Sequence, residues 1–107
     1  MLFICGKNLR RSPTAEQVFA SWPGVEAASA GLDEASPTPV SPELLAWADL
    51  ILVMEPAYRR RLASRFGRHL KKQRVVCLNI PDEYEYMDPR LVERLKRVVP
   101  KFLSRGS

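Results

Sequence analysis

Five consecutive apolar residues, Leu50-Ile51-Leu52-Val53-Met54, interrupt an otherwise mixed sequence. A run with no polar alternation reads as a strand covered on both faces, and such strands belong to parallel sheets that carry helices on each side. Leu2 to Ile4 repeats the pattern at the start of the chain, Val25 to Ala30 is a weaker version, and Arg74 to Ile80 supplies a fourth strand. Amphipathic segments separate them. Ser12 to Trp22 reads as a helix with Pro13 in its first turn, Pro23-Gly24 as its stop, and Ala15, Val18, Phe19 and Trp22 on one face.

Residues 31 to 40 form a Pro-rich loop, after which Ser41-Pro42 opens a short helix carrying Leu44, Leu45, Trp47 and Ala48; Trp47 is assigned to the core, with a place on the rim of a site under the preceding loop as the alternative. Pro56 begins a third helix, with Tyr58, Leu62 and Phe66 at four-residue spacing and Gly67 closing it. Asp88-Pro89 gives an N-cap and first-turn proline to a last helix carrying Leu91, Val92, Leu95, Val98, Val99 and Phe102, which Pro100 should kink. The alternation implies a three-layer α/β fold: a four-stranded parallel sheet flanked by helices on both faces, joined by right-handed crossovers.

With 107 residues, 46% of them hydrophobic, the chain reads as one domain spanning 1–107. No apolar run approaches the roughly 18 residues that a membrane span needs, and MLFIC lacks the basic region of a secretory signal, so a cytoplasmic location and no membrane partner are expected. Two cysteines and one histidine offer neither a disulfide framework nor a zinc site, so no metal or cofactor is expected. The net charge of +5 implies an anionic partner without saying which.

Ligands of such sheets bind beyond the carboxyl ends of the strands, and CGKNLRRSP connects the first strand to its helix. The backbone N–H groups of Gly6 through Ser12 lead into a helix N-terminus, where orphan donors favour an anion and the same field favours a thiolate at Cys5. Arg11 can grip two oxygens of a tetrahedral oxyanion in a fixed fork. Asn8 can hold the turn, Gly6 removes bulk beside the sulfur, and the Ser12 hydroxyl can donate to it. A capped turn with a buried cysteine leaves Arg11, Asn8 and Gly6 unexplained. A nucleotide-binding loop would need a second glycine and a Gly-Lys-Ser/Thr ending, which are missing.

CGKNLRRSPTAE resembles the phosphate loop of low-molecular-weight protein tyrosine phosphatases, Cys-x5-Arg-Ser-Pro followed by Thr-Ala-Glu. Ser29-Ala30-Gly31 and Asp49 to Met54 are similar to that family's second and third strand ends, although small residues at a crowded strand end explain the former equally well. The resemblance implies a nucleophile at Cys5, a phosphate clamp at Arg11, a loop stabiliser at Asn8 and a thiolate partner at Ser12. Gly6, Lys7, Asn8, Leu9, Arg10, Arg11 and Ser12 would form the phosphate-binding loop, able to hold a phosphate or sulfate ion. Expulsion of a phenolate needs a general acid, in this family an aspartate. NIPDEYEYMDPRL offers two, Asp82 and Asp88; position relative to the strand favours Asp82, and Asp88 is accounted for as an N-cap. Tyr84 and Tyr86 resemble the family's aromatic rim and serve equally well as packing.

Two departures stand out. The loop between Gly31 and Ser41 is shorter than in relatives, which bears on substrate choice, and Arg10 stands where many relatives have a second cysteine, so a protective disulfide there is not expected. Cys77 is assigned as a buried filler, His69 to the surface, and the basic run from Arg59 to Arg74 to a solvated helix face. Without interleaved aromatics that run does not call for nucleic acid. The resulting expectation is a phosphomonoesterase that hydrolyses phosphotyrosine proteins or small aryl phosphates through a cysteinyl-phosphate. The alternative is a non-catalytic phosphate- or nucleic-acid-binding module on the same scaffold. Arsenate reduction would want two further cysteines where only Cys77 remains.

Overall fold

The computed structural model describes residues 1–7 and 10–103. Four short strands, β1 (Leu2–Cys5), β2 (Ala28–Gly31), β3 (Leu50–Val53) and β4 (Arg74–Cys77), form one parallel sheet in the order β2-β1-β3-β4. The five helices are α1 (Arg11–Phe19), α2 (Pro42–Trp47), α3 (Pro56–Phe66), α4 (Pro89–Val98) and α5 (Pro100–Leu103).

The two-residue period of the strands sorts their side chains into two cores. Phe3 and Cys5 of β1, with Leu50, Leu52 and Met54 of the β3 segment, pack against Ala15 and Phe19 of α1 and Leu91 and Leu95 of α4. Leu2 and Ile4, with Ile51 and Val53, meet Leu45 of α2 and Leu62 of α3 on the other face. The unbroken apolar run of β3 is thus buried on both sides, and the expected three-layer arrangement is the observed one.

Element ends differ from the sequence reading where local backbone overrides pattern. α1 starts one residue early, at Arg11, because the Arg10 carbonyl accepts from both Thr14 N (3.0 Å) and Thr14 Oγ1 (2.6 Å). It stops at Phe19, and Trp22 N closes a turn onto the Phe19 carbonyl at 3.2 Å. β2 begins at Ala28, after Gly24 has taken a positive φ of 73°. β4 ends at Cys77 because Asn79 is left-handed (φ 55°), although Leu78 N and Ile80 N still reach the Val53 and Met54 carbonyls at 2.9 and 2.8 Å. The break that Pro100 imposes is present as the division between α4 and α5.

Three side chains are not where the pattern put them. Trp47 is 42% exposed: Leu45 takes the inward position of α2, and a residue two further on points away from it. Cys77 lies half-buried on the edge strand with Sγ 3.5 Å from Asn79 Oδ1, so it is not a core filler. His69 is half-buried, its ring 6.4 Å from that of Phe66.

Gly31 ends β2 opposite Cys5, and the short loop after it folds back so that Gly31 N donates to the Thr38 carbonyl and Val40 N to the Gly31 carbonyl. A Cβ at Gly31 would sit 2.8 Å from the Gly6 carbonyl oxygen and 2.6 Å from Ser36 Oγ. Two capped helices brace the frame: Ser41 Oγ accepts from Leu44 N at 3.2 Å, and Asp88 Oδ1 from Arg90 N at 2.9 Å. The bonds from the Arg90 side chain and then its backbone N–H hold the Asp88 carboxyl below the ordinary carboxylate range.

Two stability measurements check these points. Gly31→Ala should lower the unfolding free energy by about 1–3 kcal/mol, because the methyl meets backbone that cannot swing aside. Asp88→Ala should lower the melting temperature by about 5 °C at neutral pH. A carboxyl held low in the fold stabilises only when ionised, so this gap should be complete above about pH 4 and close as acid titrates the group.

Candidate active site

The strand order reverses direction at β1: the chain leaves it toward β2 on one side and returns as β3 on the other. At such a switch point the connections after two adjacent strands diverge and leave a crevice at their carboxyl ends. The segments after β1 and β3 supply most of the site, and those after β2 and β4 add one residue each, Asp33 and Asp82.

Cys5 closes β1 and is only 3% exposed. Its carbonyl accepts from Leu32 N at 3.0 Å and that of Gly6 from Asp33 N at 2.8 Å, which fastens the start of the following loop to the end of β2. Gly6 also leaves room for Tyr58: a Cβ there would lie 3.2 Å from the phenol oxygen. Lys7 and Arg10 are exposed at the mouth, and Arg10 Nε lies 3.8 Å from Glu85. Asn8 and Leu9, expected in the phosphate-binding loop, lie outside the described residues.

Arg11 is the first residue of α1, and it is 3% exposed. Its Nη1 donates to Glu55 Oε2 at 2.5 Å and to the Ile80 carbonyl at 2.7 Å, and its Nη2 donates to Tyr58 Oη at 3.0 Å. The guanidinium carbon lies 5.5 Å from the centre of the Tyr58 ring. Burial acts to weaken the cation, but the bonds to Glu55 and Tyr58 outweigh it and hold the guanidinium more firmly protonated than a free one. Nε points toward Asp82, whose Oδ1 is 3.8 Å away on a 60% exposed side chain.

One cavity is lined by Cys5, Gly6, Lys7, Arg10, Arg11, Asp33, Tyr58, Arg61 and Asp82. Among the residues that the sequence singled out, Cys5, Gly6, Lys7, Arg10, Arg11 and Asp82 therefore meet. Ser12 lies beneath them with its hydroxyl buried and no hydrogen-bond partner for it among the described residues. Asp88 stands apart, spent on its helix cap and its ion pair with Arg90.

Tyr84 and Tyr86 do not line the cavity. Tyr84 packs on the α1/α4 core with the Arg90 guanidinium 5.5 Å from its ring centre, its Oη accepting from Arg94 Nη1 at 3.4 Å. Tyr86 is 52% exposed. The segment carrying them is tied down by Thr14 Oγ1, which accepts from Met87 N at 2.8 Å.

Sequence reasoning missed Glu55, Tyr58, Asp33 and Arg61. A signal for the first two was present: the rule that directs attention to the residues after β1 applies equally to those after β3, where Glu55-Pro56-Ala57-Tyr58 begins. Among the described residues no group of three or more His, Cys, Asp or Glu side chains is placed to hold a metal.

No protein-family model and no curated protein sequence matches the chain. Solved structures do. A YwlE arginine phosphatase, a cysteine-to-serine variant with a phosphorylated active-site serine, is 25% identical with a TM-score of 0.74, the match covering 98% of this chain and 96% of that one. A protein tyrosine phosphatase is 26% identical with a TM-score of 0.73, covering 99% and 96%. The tyrosine phosphatase Wzb from Escherichia coli K30, solved with phosphate, shares the fold at 21% identity and a TM-score of 0.76 over 99% and 96%. A quarter of the sequence held over nearly the full length of both chains, with a Cys-x5-Arg-Ser-Pro loop opening from a buried cysteine at the end of β1, gives this chain the fold of these phosphatases and a loop similar to that of low-molecular-weight protein tyrosine phosphatases.

Proposed function

We propose that the protein is a cysteine-dependent phosphomonoesterase acting on phosphotyrosine or small aryl phosphates. The observation that carries this reading is the convergence on one cavity of a buried cysteine, a buried arginine with Nε turned inward, and an aspartate 3.8 Å from that Nε. In the proposed reaction Cys5 Sγ, as thiolate, attacks phosphorus, and the P–O bond to the aryl oxygen breaks. Protonated Asp82 gives that oxygen its proton, so the leaving group departs as a neutral phenol. The Asp82 carboxylate then takes a proton from water as the water oxygen attacks the cysteinyl-phosphate, which frees phosphate and restores the thiolate. Arg11 offers its Nε and Nη2 edge to the charge on the transferring group throughout.

Support comes from the relative whose active-site serine is phosphorylated and from the phosphate complex of Wzb. A binding-only module would leave Asp82 without a role at the cavity wall. One observation favours phosphoarginine as a second reading: the carboxyls of Asp33 and Asp82 both line the cavity, where a guanidinium could pair with them, and one relative is an arginine phosphatase. We place the enzyme in the cytoplasm, since a nucleophilic thiol is kept reduced there.

The test is hydrolysis of p-nitrophenyl phosphate. Cys5→Ser should abolish it; equal rates in the two proteins would sink the proposal. Asp82→Asn should lower kcat by about 10², with a larger loss on phenyl phosphate, whose leaving group needs a proton more, and Asp88→Asn should leave kcat near the original value. Comparison of kcat/KM on phosphotyrosine and phosphoarginine decides between the two substrate classes, and the aryl ester is the expected winner.

A further inference from the structure

The helix pattern assigns Tyr58 to the core face of α3, and its ring does touch both apolar clusters. Its hydroxyl does something that core packing does not require. Tyr58 Oη accepts from Arg11 Nη2 at 3.0 Å. A guanidinium has five N–H donors and no acceptor, so the phenol is necessarily the acceptor in this bond and its own hydrogen must point elsewhere. Among the described residues no acceptor receives it. The oxygen stands beside the backbone of Gly6, 3.2 Å from where a Cβ would be, on the wall of the cavity that Cys5 and Arg11 also line.

The arginine's own bonds make this vacancy consequential. Both donors of Nη1 are engaged, by Glu55 and the Ile80 carbonyl, and one of Nη2 by Tyr58. The edge left for an anion is Nε and the second Nη2 hydrogen, and the phenol hydrogen lies next to it. We infer that Tyr58 is a substrate-binding residue, its O–H donating to a non-bridging phosphoryl oxygen held at the same time by Arg11. This rests on the reading of the cavity as a phosphoryl site. The ring, fixed between the two cores, presents the donor without having to be ordered when substrate arrives.

Tyr58→Phe tests the inference because the two roles of the hydroxyl predict opposite signs. The ring packing is kept, and Arg11 stays anchored through Nη1. If the hydroxyl only accepted from Arg11, its removal would release an N–H toward the anion, and phosphate would bind as well or better. If it donates to the anion, binding weakens. Calorimetric titration with inorganic phosphate should show a dissociation constant about tenfold higher for Tyr58→Phe, as loss of a hydrogen bond to a charged acceptor implies. With p-nitrophenyl phosphate the rise in KM should exceed the fall in kcat, the mark of an interaction already made with bound substrate. Equal or tighter phosphate binding by the variant overturns the assignment. Failure of the unsubstituted chain to bind phosphate overturns the cavity reading itself, and the two failures are told apart because Tyr58 is intact in the second.

Discussion

The structure is organised around a cation that has almost no access to water. Burying an isolated guanidinium is costly, and the cost is lowered only when its donors find acceptors in fixed positions. Arg11 also sits at the first residue of α1, where the positive end of the helix dipole opposes it. Neither circumstance recommends the position for stability. The fold answers with Glu55 from the end of β3, the Ile80 carbonyl from beyond β4 and Tyr58 from α3. Three segments far apart in sequence thus converge because one side chain must be satisfied, and what remains unsatisfied, the Nε edge, faces the cavity. A positive edge at a helix start beside a cysteine makes sense as a place for an anion.

The sheet order explains why these segments can converge. With β1 and β3 adjacent and their outgoing connections diverging to opposite sides, the two loops flank a common crevice. Met54 N still donates to the Ile4 carbonyl at 3.0 Å, so the ladder continues to the point where the two loops separate. Cys5 and Glu55 are therefore set by backbone pairing, which is more rigid than a loop closure. The hydrogen bonds from Leu32 and Asp33 to the Cys5 and Gly6 carbonyls extend this fixing to the β2 side.

Most of this architecture was legible in the residues. Fully apolar β3, the helix-start prolines and the loop CGKNLRRSP identify the layers and the place of the cavity that Cys5 and Arg11 line, because each depends on local physics that a short window contains. The errors have a common cause: they concern which of two faces a side chain takes. Tyr58 fits an apolar helical stripe by spacing, yet its ring bridges two cores and its hydroxyl reaches a third element. Tyr84 and Tyr86 lie near Asp82 in sequence but are withdrawn from the cavity by packing on α4 and by the bond from Met87 to Thr14. Cys77 is left half-buried by its edge position and Trp47 exposed by a helix of six residues, features of the assembled sheet and not of their neighbours in sequence.

The short loop after β2 supplies one wall of the cavity through Asp33. Gly31 donates to Thr38 and accepts from Val40, and Ser36 is packed against it, so residues 31–40 close on themselves at the strand end. Within that closure Asp33 accepts from Ala35 N at 2.9 Å and reaches the cavity wall, facing a mouth that otherwise carries Lys7, Arg10 and Arg61. On the proposed reading, a phosphoryl dianion entering there meets the buried Arg11 at depth and a mixed rim at the surface. On that reading the depth acts on the phosphoryl group through charge and geometry, and the rim on what is attached to it. Because Tyr58 is the only aromatic side chain among the described cavity-lining residues, and it stands beside Arg11 with its hydroxyl against Gly6, discrimination by ring stacking is weak here. On the proposed reading, the choice among esters then falls chiefly on the leaving oxygen and on the charge near it, opposite Asp82 and Asp33.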